Sequence, residues 1–296
     1  MITVIGLSTD PTIRHFCQTA VELGVEVQLI DLSDVVAGAW QFTLPPEYPS
    51  WLMLDSSGKQ QLDPFGTYYC RLIDLGDVSP TEIVIWRTAI TGLSSWLELI
   101  PGEVVNRPGH VIDNACKPLH EVCLTHNDFR VPPSFTGSRR SDLIAFTAEG
   151  KTIAKALSGQ RADCRVVTVE DFATYDDRSG PVHLQRFVEG DDVRAHVVGG
   201  DIVAVRITSN HSDYRNDAAA IFTPCTLPDQ LAVQLCKATR SFGLAFAGWD
   251  LRMYDDTWWL LEANPMPGYS YYDKQVGGRI TRMLIAYLQD HSHTGV

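Results

Sequence analysis

Apolar residues cluster at Ile2 to Leu7, recur with helical spacing from Pro11 to Leu23, and cluster again from Val25 to Ile30. This order predicts a strand, a helix stopped by Gly24, and a second strand, the β-α-β opening of a parallel Rossmann-like sheet. The first turn, GLSTDPT, lacks the GxGxxG spacing of a dinucleotide site. A Pro- and Gly-punctuated stretch from Pro45 to Gly66 predicts loops and a hairpin, Pro80 to Leu99 a helix, and Glu103 to Asn106 a strand. A first boundary falls at about residue 107.

Beyond it the pattern changes. Val111 to Thr125 has helical character, with Asp113 or Asn114 as N-cap, and Val131-Pro132-Pro133 starts an extended segment. Strands are expected at Thr152 to Leu157, Arg165 to Val169, His183 to Val188, Val193 to Val198 and Ile202 to Ile207, the last two joined at Gly199-Gly200. Leu227 to Phe242 and Arg279 to Gln289 predict helices, and the tail HSHTGV is expected to be disordered. Hairpins between helices indicate α+β units rather than one doubly wound sheet.

Composition narrows the function classes. The chain has 296 residues, 45% of them hydrophobic and 20% charged, a globular composition large enough for two or three subdomains. A net charge of −12 argues against nucleic-acid binding but leaves room for a nucleotide in a locally cationic pocket. No run approaches the roughly 18 apolar residues of a membrane span, and no signal peptide is visible at the start. Seven scattered cysteines without a CxxC pair read as reduced thiols, so a cytoplasmic setting is expected. His110, His120 and His126 lack HExxH spacing, and no GxSxG elbow occurs.

One stretch carries candidate metal chemistry. Leu251 to Tyr254 and Trp258 to Ala263 read as a hairpin joined by Asp255-Asp256-Thr257. That register sets Asp250 opposite Glu262, with Asn264 two residues on and on the same face. Two carboxylates and an amide oxygen are hard donors suited to Mg²⁺, with Mn²⁺ as the alternative ion, when phosphates complete the shell. The competing reading is an edge hairpin with solvated acids.

Four further motifs give that hairpin a context. NRPGHVIDNACKPL, TIAKALSG, LQRFVEGDDVRAHVVGG, DYRND and GWDLRMYDDTWWLLEANPMPG follow one another in this order. From Asn106 onward the chain resembles an ATP-grasp protein of the RimK and glutathione-synthetase type. The resemblance implies an ATP-grasp fold behind an N-terminal Rossmann-like pre-ATP-grasp domain at 1–107, a central subdomain at 108–184 and a C-terminal subdomain at 185–296 carrying the metal site. It implies that Lys117 and Lys155 reach nucleotide phosphates, and that Gln185, Arg186, Phe187 and Val188 form the adenine hinge. Asp192 would accept from a ribose hydroxyl, or be a turn acid. Arg194 and Arg215, with Asn216 beside the latter, would lie near the transferred phosphoryl group. Arg252 shares a face with Asp250 and would contact phosphate or offset the carboxylates. Lys117 and Arg215 rest mainly on the resemblance, since a helical or loop cation is commonly a solvated surface charge. Tyr269, Tyr271 and Tyr272 read as core or rim packing, or as acceptor-pocket lining.

Two departures from the family pattern stand out. Only Gly159 occurs in SGQRADCR, where relatives carry a glycine-rich loop, and Gln185-Arg186 replaces a common Gln-Glu in the hinge. The resemblance implies an ADP-forming carboxylate–amine ligase using ATP and Mg²⁺ through an acyl phosphate, on small-molecule or peptide substrates, with self-association left open. A small-molecule kinase and a nucleotide-binding scaffold without turnover are the alternatives.

Overall fold

The computed structural model describes residues 1–35, 42–43, 51–55, 59–73, 79–109, 116–157, 164–211, 214 and 217–291. Its first layer is a parallel sheet in the order β2-β1-β6-β7, as the β-α-β opening requires. It is built from β1 (Ile2–Gly6), α1 (Pro11–Glu22), β2 (Val27–Asp31), a small antiparallel sheet β3 (Phe42–Thr43), β4 (Leu52–Asp55) and β5 (Lys59–Leu62), then β6 (Thr67–Cys70), α2 (Pro80–Leu99) and β7 (Glu103–Val105). Asp10 caps α1 by accepting from the Thr12 amide at 2.8 Å, and Ser79 with Glu82 forms a capping box on α2.

Next come α3 (Lys117–His126), β8 (Ser134–Gly137), α4 (Arg140–Ala148), β9 (Thr152–Lys155), β10 (Arg165–Val167) and β11 (Val182–Arg186). The strands form an antiparallel sheet in the order β10-β9-β11-β8. β11 runs to Arg186 within this sheet, two residues past the expected boundary at 184. The third group is β12 (Asp191–Val198), β13 (Asp201–Thr208), β14 (Ile221–Cys225), α5 (Asp229–Ser241), β15 (Phe246–Tyr254), β16 (Thr257–Asn264), α6 (Ser270–Gln275) and α7 (Arg279–Asp290), with sheet order β14-β13-β12-β15-β16.

Period-two alternation divides β12 between two environments. Val193, Ala195 and Val197 pack with Leu235, Phe242 and Trp249 under α5, whereas Val198 joins a core with Phe16, Tyr69, Phe246 and Leu284. Arg194, on that second face, is thereby aimed into the cleft. Among the described residues no helix is long and apolar enough to cross a membrane, and all seven cysteines are free.

Several expectations need correction. α3 begins at Lys117 with Cys116 at its N-cap, and the proposed caps Asp113 and Asn114 lie outside the described residues, as do Gly159 and the tail from 292. Helix α4 and strand β14 were not expected, because α4 mixes charged and apolar positions and Pro224 interrupts β14. The hairpin turn has two residues, Asp255 and Asp256, both at positive φ (48° and 54°), with Tyr254 paired to Thr257. A register shift between Asp250 and Leu251 then restores the Asp250–Glu262 pairing. The expected pair is present, but a bulge produces it rather than a three-residue loop.

Candidate active site

A cavity of about 1430 Å³ lies between the parallel, central and five-stranded sheets. It is lined by Lys117, Lys155, Gln185, Arg186, Phe187, Val188, Asp192, Arg194, Asp250, Arg252, Glu262 and Asn264. Every expected site residue that the structure describes is therefore in one place, while Arg215 and Asn216 lie outside the described residues. From the parallel sheet, Asp10 and Arg71 line the same space.

Strand register organises the charges on the wall formed by β12, β15 and β16. Asp192 lies opposite Arg252, and Arg194 opposite Asp250. Arg252 forks onto Asp192 through Nε at 3.0 Å and Nη2 at 2.7 Å, while its Nη1 donates to the Val188 carbonyl at 2.8 Å. These contacts join Asp192 to Arg252 and tie the 185–188 segment to the hairpin. Arg194 donates through Nη1 to Asp250, and burial of the guanidinium is outweighed by Asp250, which raises its pKa further. Gly248 makes room for that group, because a Cβ there would stand 2.6 Å from Arg194 Nη2 and 2.7 Å from Pro267 Cβ.

Lys117 Nζ lies 3.2 Å from Glu262 Oε2 with its side chain only 18% exposed, so it is a cleft residue rather than a solvated one. Burial opposes ionisation of Glu262, yet Lys117 and Lys155 hold its carboxyl below the usual range. Asn264 Oδ1 accepts from the Met266 amide at 2.9 Å. Among the described residues no group of three or more His, Cys, Asp or Glu is placed to hold a metal, so any cation here needs Asn264 or ligand oxygens beside Asp250 and Glu262.

The central sheet presents a different surface. Lys155 pairs across the ladder with His183, and Gln185 lies two residues on, so all three share a face. Lys155 Nζ donates to Gln185 Oε1 at 2.6 Å, and Gln185 Nε2 donates to Glu121 Oε1 at 2.6 Å. Burial holds the Lys155 ammonium pKa below its ordinary value. The Arg186 amide donates to the Pro133 carbonyl at 2.8 Å and the Phe187 amide to the Lys151 carbonyl at 2.9 Å. Backbone bonds thus occupy the Arg186 and Phe187 amides. The Arg186 guanidinium is held by Glu149 Oε2 at 2.6 Å and lies over the Phe146 ring.

Sequence reasoning missed several residues that build this site. Glu121 is 8% exposed and lies one helical turn after Lys117 on α3, an i,i+4 spacing that could have identified it. Arg71 donates to Asp10 at 2.8 Å and to the Pro267 carbonyl at 2.7 Å, and Asn106 bonds the backbone of Phe246 and Pro265, so the first sheet is fastened to the segment after β16. Tyr214, inside DYRND, lines the cavity and bonds the Tyr272 hydroxyl. Tyr269 is fully buried core, whereas Tyr271 and Tyr272 line the cavity.

Comparison with known proteins fits this arrangement. Residues 182–288 match the family model of the RimK-like ATP-grasp domain. A probable alpha-L-glutamate ligase of Histophilus somni is 28% identical over 183 residues, which are 56% of this chain and 60% of that protein. This chain thus spans less than two thirds of the relative's length. The structure of the ATP-grasp ligase PsnB, complexed with a phosphomimetic variant of its minimal precursor, Mg and ADP, superposes with a TM-score of 0.82 at 21% identity, covering 97% of this chain and 98% of PsnB. The macrocyclase MdnC of Microcystis aeruginosa MRC, bound with precursor peptide MdnA, gives 0.80 at 17% identity, covering 97% and 99%.

The chain has the ATP-grasp fold.

The expected fold class, α/β and α+β with a Rossmann-like lead-in layer, is borne out by this likeness. In ATP-grasp terms, the central and five-stranded sheets form two walls of the cleft, and the parallel sheet closes its end.

Proposed function

We propose that this protein is an ATP-dependent, ADP-forming carboxylate–amine ligase acting on an amino acid or peptide. The observation that carries the reading is the convergence of Lys117, Lys155 and Arg194 with Asp250, Glu262 and Asn264 in one cavity beside the 185–188 segment. Three cations face two carboxylates, a balance suited to a polyanion such as a triphosphate. The oxygen donors fit a hard divalent ion, Mg²⁺ or Mn²⁺, whose bound charge would offset that of the phosphates. Asp250, Glu262 and Asn264 would hold it. We divide the chain for this purpose into a lead-in unit at 1–107, a central unit at 108–184 and a C-terminal unit at 185–296, with ATP between the last two.

The chain's own residues then work by positioning and electrostatics. Lys155 and Lys117 neutralise phosphate oxygens. Phe187 and Val188 form an apolar wall for adenine. A substrate carboxylate oxygen attacks the γ-phosphorus and ADP departs, leaving an acyl phosphate. An amine attacks its acyl carbon, loses a proton, and phosphate leaves. Arg194, with Arg215 and Asn216 from the DYRND segment, would stabilise charge on the transferred group. A cytoplasmic setting with ATP at hand belongs to the same reading. No observation of its own favours a kinase or a scaffold.

The test is thermal stability with Mg²⁺ and a non-hydrolysable ATP analogue. At about a hundred times its dissociation constant the ligand should add roughly 2.7 kcal/mol to wild type, and Glu262→Ala should lose most of that shift. A folded wild type showing no shift would remove the basis for the reading. Hydroxamate formation with hydroxylamine and candidate acids would then separate ligase from kinase.

A further inference from the structure

Lys155 lies in a cleft wall with a neutral amide, Gln185, as its hydrogen-bonding partner, and the orientation of that amide is dictated from behind. Lys155 can only donate, so Gln185 must turn its oxygen forward, and its NH₂ then points at Glu121. Glu121 is held in turn by His183 Nε2 at 3.0 Å and by the Ser134 hydroxyl, while Thr136 Oγ1 meets His183 Nδ1 at 2.9 Å. The register explains the assembly: His183 faces Thr136 and Lys155 across the ladders, Gln185 faces Ser134, and α3 lays Glu121 over this polar face. Glu121 receives three hydrogen bonds on a carboxylate that is nearly excluded from water.

We propose that Glu121, acting through Gln185, is a positioning residue that aims the Lys155 ammonium at nucleotide phosphate. The inference rests on the nucleotide-site reading above and extends it to a residue that touches no ligand. A carboxylate behind the amide polarises it and locks the orientation in which its oxygen faces the lysine. Without the carboxylate the amide is free to turn, and Lys155 loses both its direction and its bond. The alternative is a core network that only satisfies its own members.

The test is calorimetric binding of ADP with Mg²⁺, with adenosine as the ligand lacking phosphates. Glu121→Leu and Gln185→Leu should each weaken ADP binding about tenfold, the scale of one hydrogen bond to a charged group, and Glu121→Leu should leave adenosine binding unchanged. Glu121→Gln, whose amide oxygen still accepts from Gln185, should restore most of the affinity. In a Lys155→Ala background, Gln185→Leu should have no further effect, because the relay then has nothing to aim. A Gln185→Leu variant that binds ADP as wild type does, or weakens ADP equally with and without Lys155, overturns the proposal, as does a Glu121→Leu variant that loses ADP and adenosine alike. Should Glu121→Leu fail to fold, Gln185→Leu and Glu121→Gln still decide. Wild type binding neither ligand would overturn the nucleotide-site reading itself, a result distinct from wild-type binding with indifferent variants.

Discussion

The two walls of the cleft handle charge differently. On the β12–β15–β16 wall nearly every cleft-facing ion has a partner of opposite sign across the strands: Arg194 with Asp250, Arg252 with Asp192, and Lys117 reaching over from α3 to Glu262. On the central wall Lys155 hydrogen-bonds an amide, and the anion in that hydrogen-bonded chain, Glu121, stands one bond further back. Paired ions make a rigid surface in which removing one partner leaves a half-buried charge uncompensated, whereas a lysine held by an amide is desolvated and available. Structure and recognition are thus divided between the walls.

The largest way to break the comparison is Arg252→Ala. It removes the guanidinium fork from a carboxylate that is 15% exposed and frees the Val188 carbonyl, so urea unfolding should show a loss of about 3–5 kcal/mol. Replacing Asp192 and Arg252 together by leucine should recover most of it. A loss below about 1 kcal/mol would mean the pair is no more than a surface bridge.

A smaller effect sharpens the point within one strand. His196 is fully buried two residues from Arg194, with neither ring nitrogen hydrogen-bonded, and burial followed by the Arg194 charge holds it well below its ordinary value of 6.5. The folded protein therefore stays unprotonated where the unfolded chain takes up a proton. Stability is full above pH 6.5 and falls as pH drops below it, by about 1.4 kcal/mol per unit for this one proton. His196→Leu should flatten stability between pH 6.5 and 5 and raise it near pH 5. An unchanged slope would assign the effect to other groups.

The smallest expected effect is on the central wall. Lys155→Met should change stability by about 1 kcal/mol or less, because losing a desolvated ammonium offsets losing its bond. The same substitution should abolish most of the shift with the ATP analogue. A stability loss as large as that of Arg252→Ala would erase the distinction between the walls.

By itself the sequence determined not helix α4 or strand β14 but the parallel opening, the hairpin carrying Asp250, Glu262 and Asn264, and the strand holding Lys155. These follow from local periodicity, turn residues and side-chain chemistry, which act over a few positions. It also indicated that Asp250 and Arg252 share a face, since alternation along β15 is local. The tertiary structure alone decided partners. Arg252 opposite Asp192, the bulge that corrects a two-residue turn, Gly248 under Arg194, and Glu121 behind Gln185 all join positions distant in the chain. Pairing register and helix docking are set by the sum of many weak contacts across the fold, so no single motif announces them.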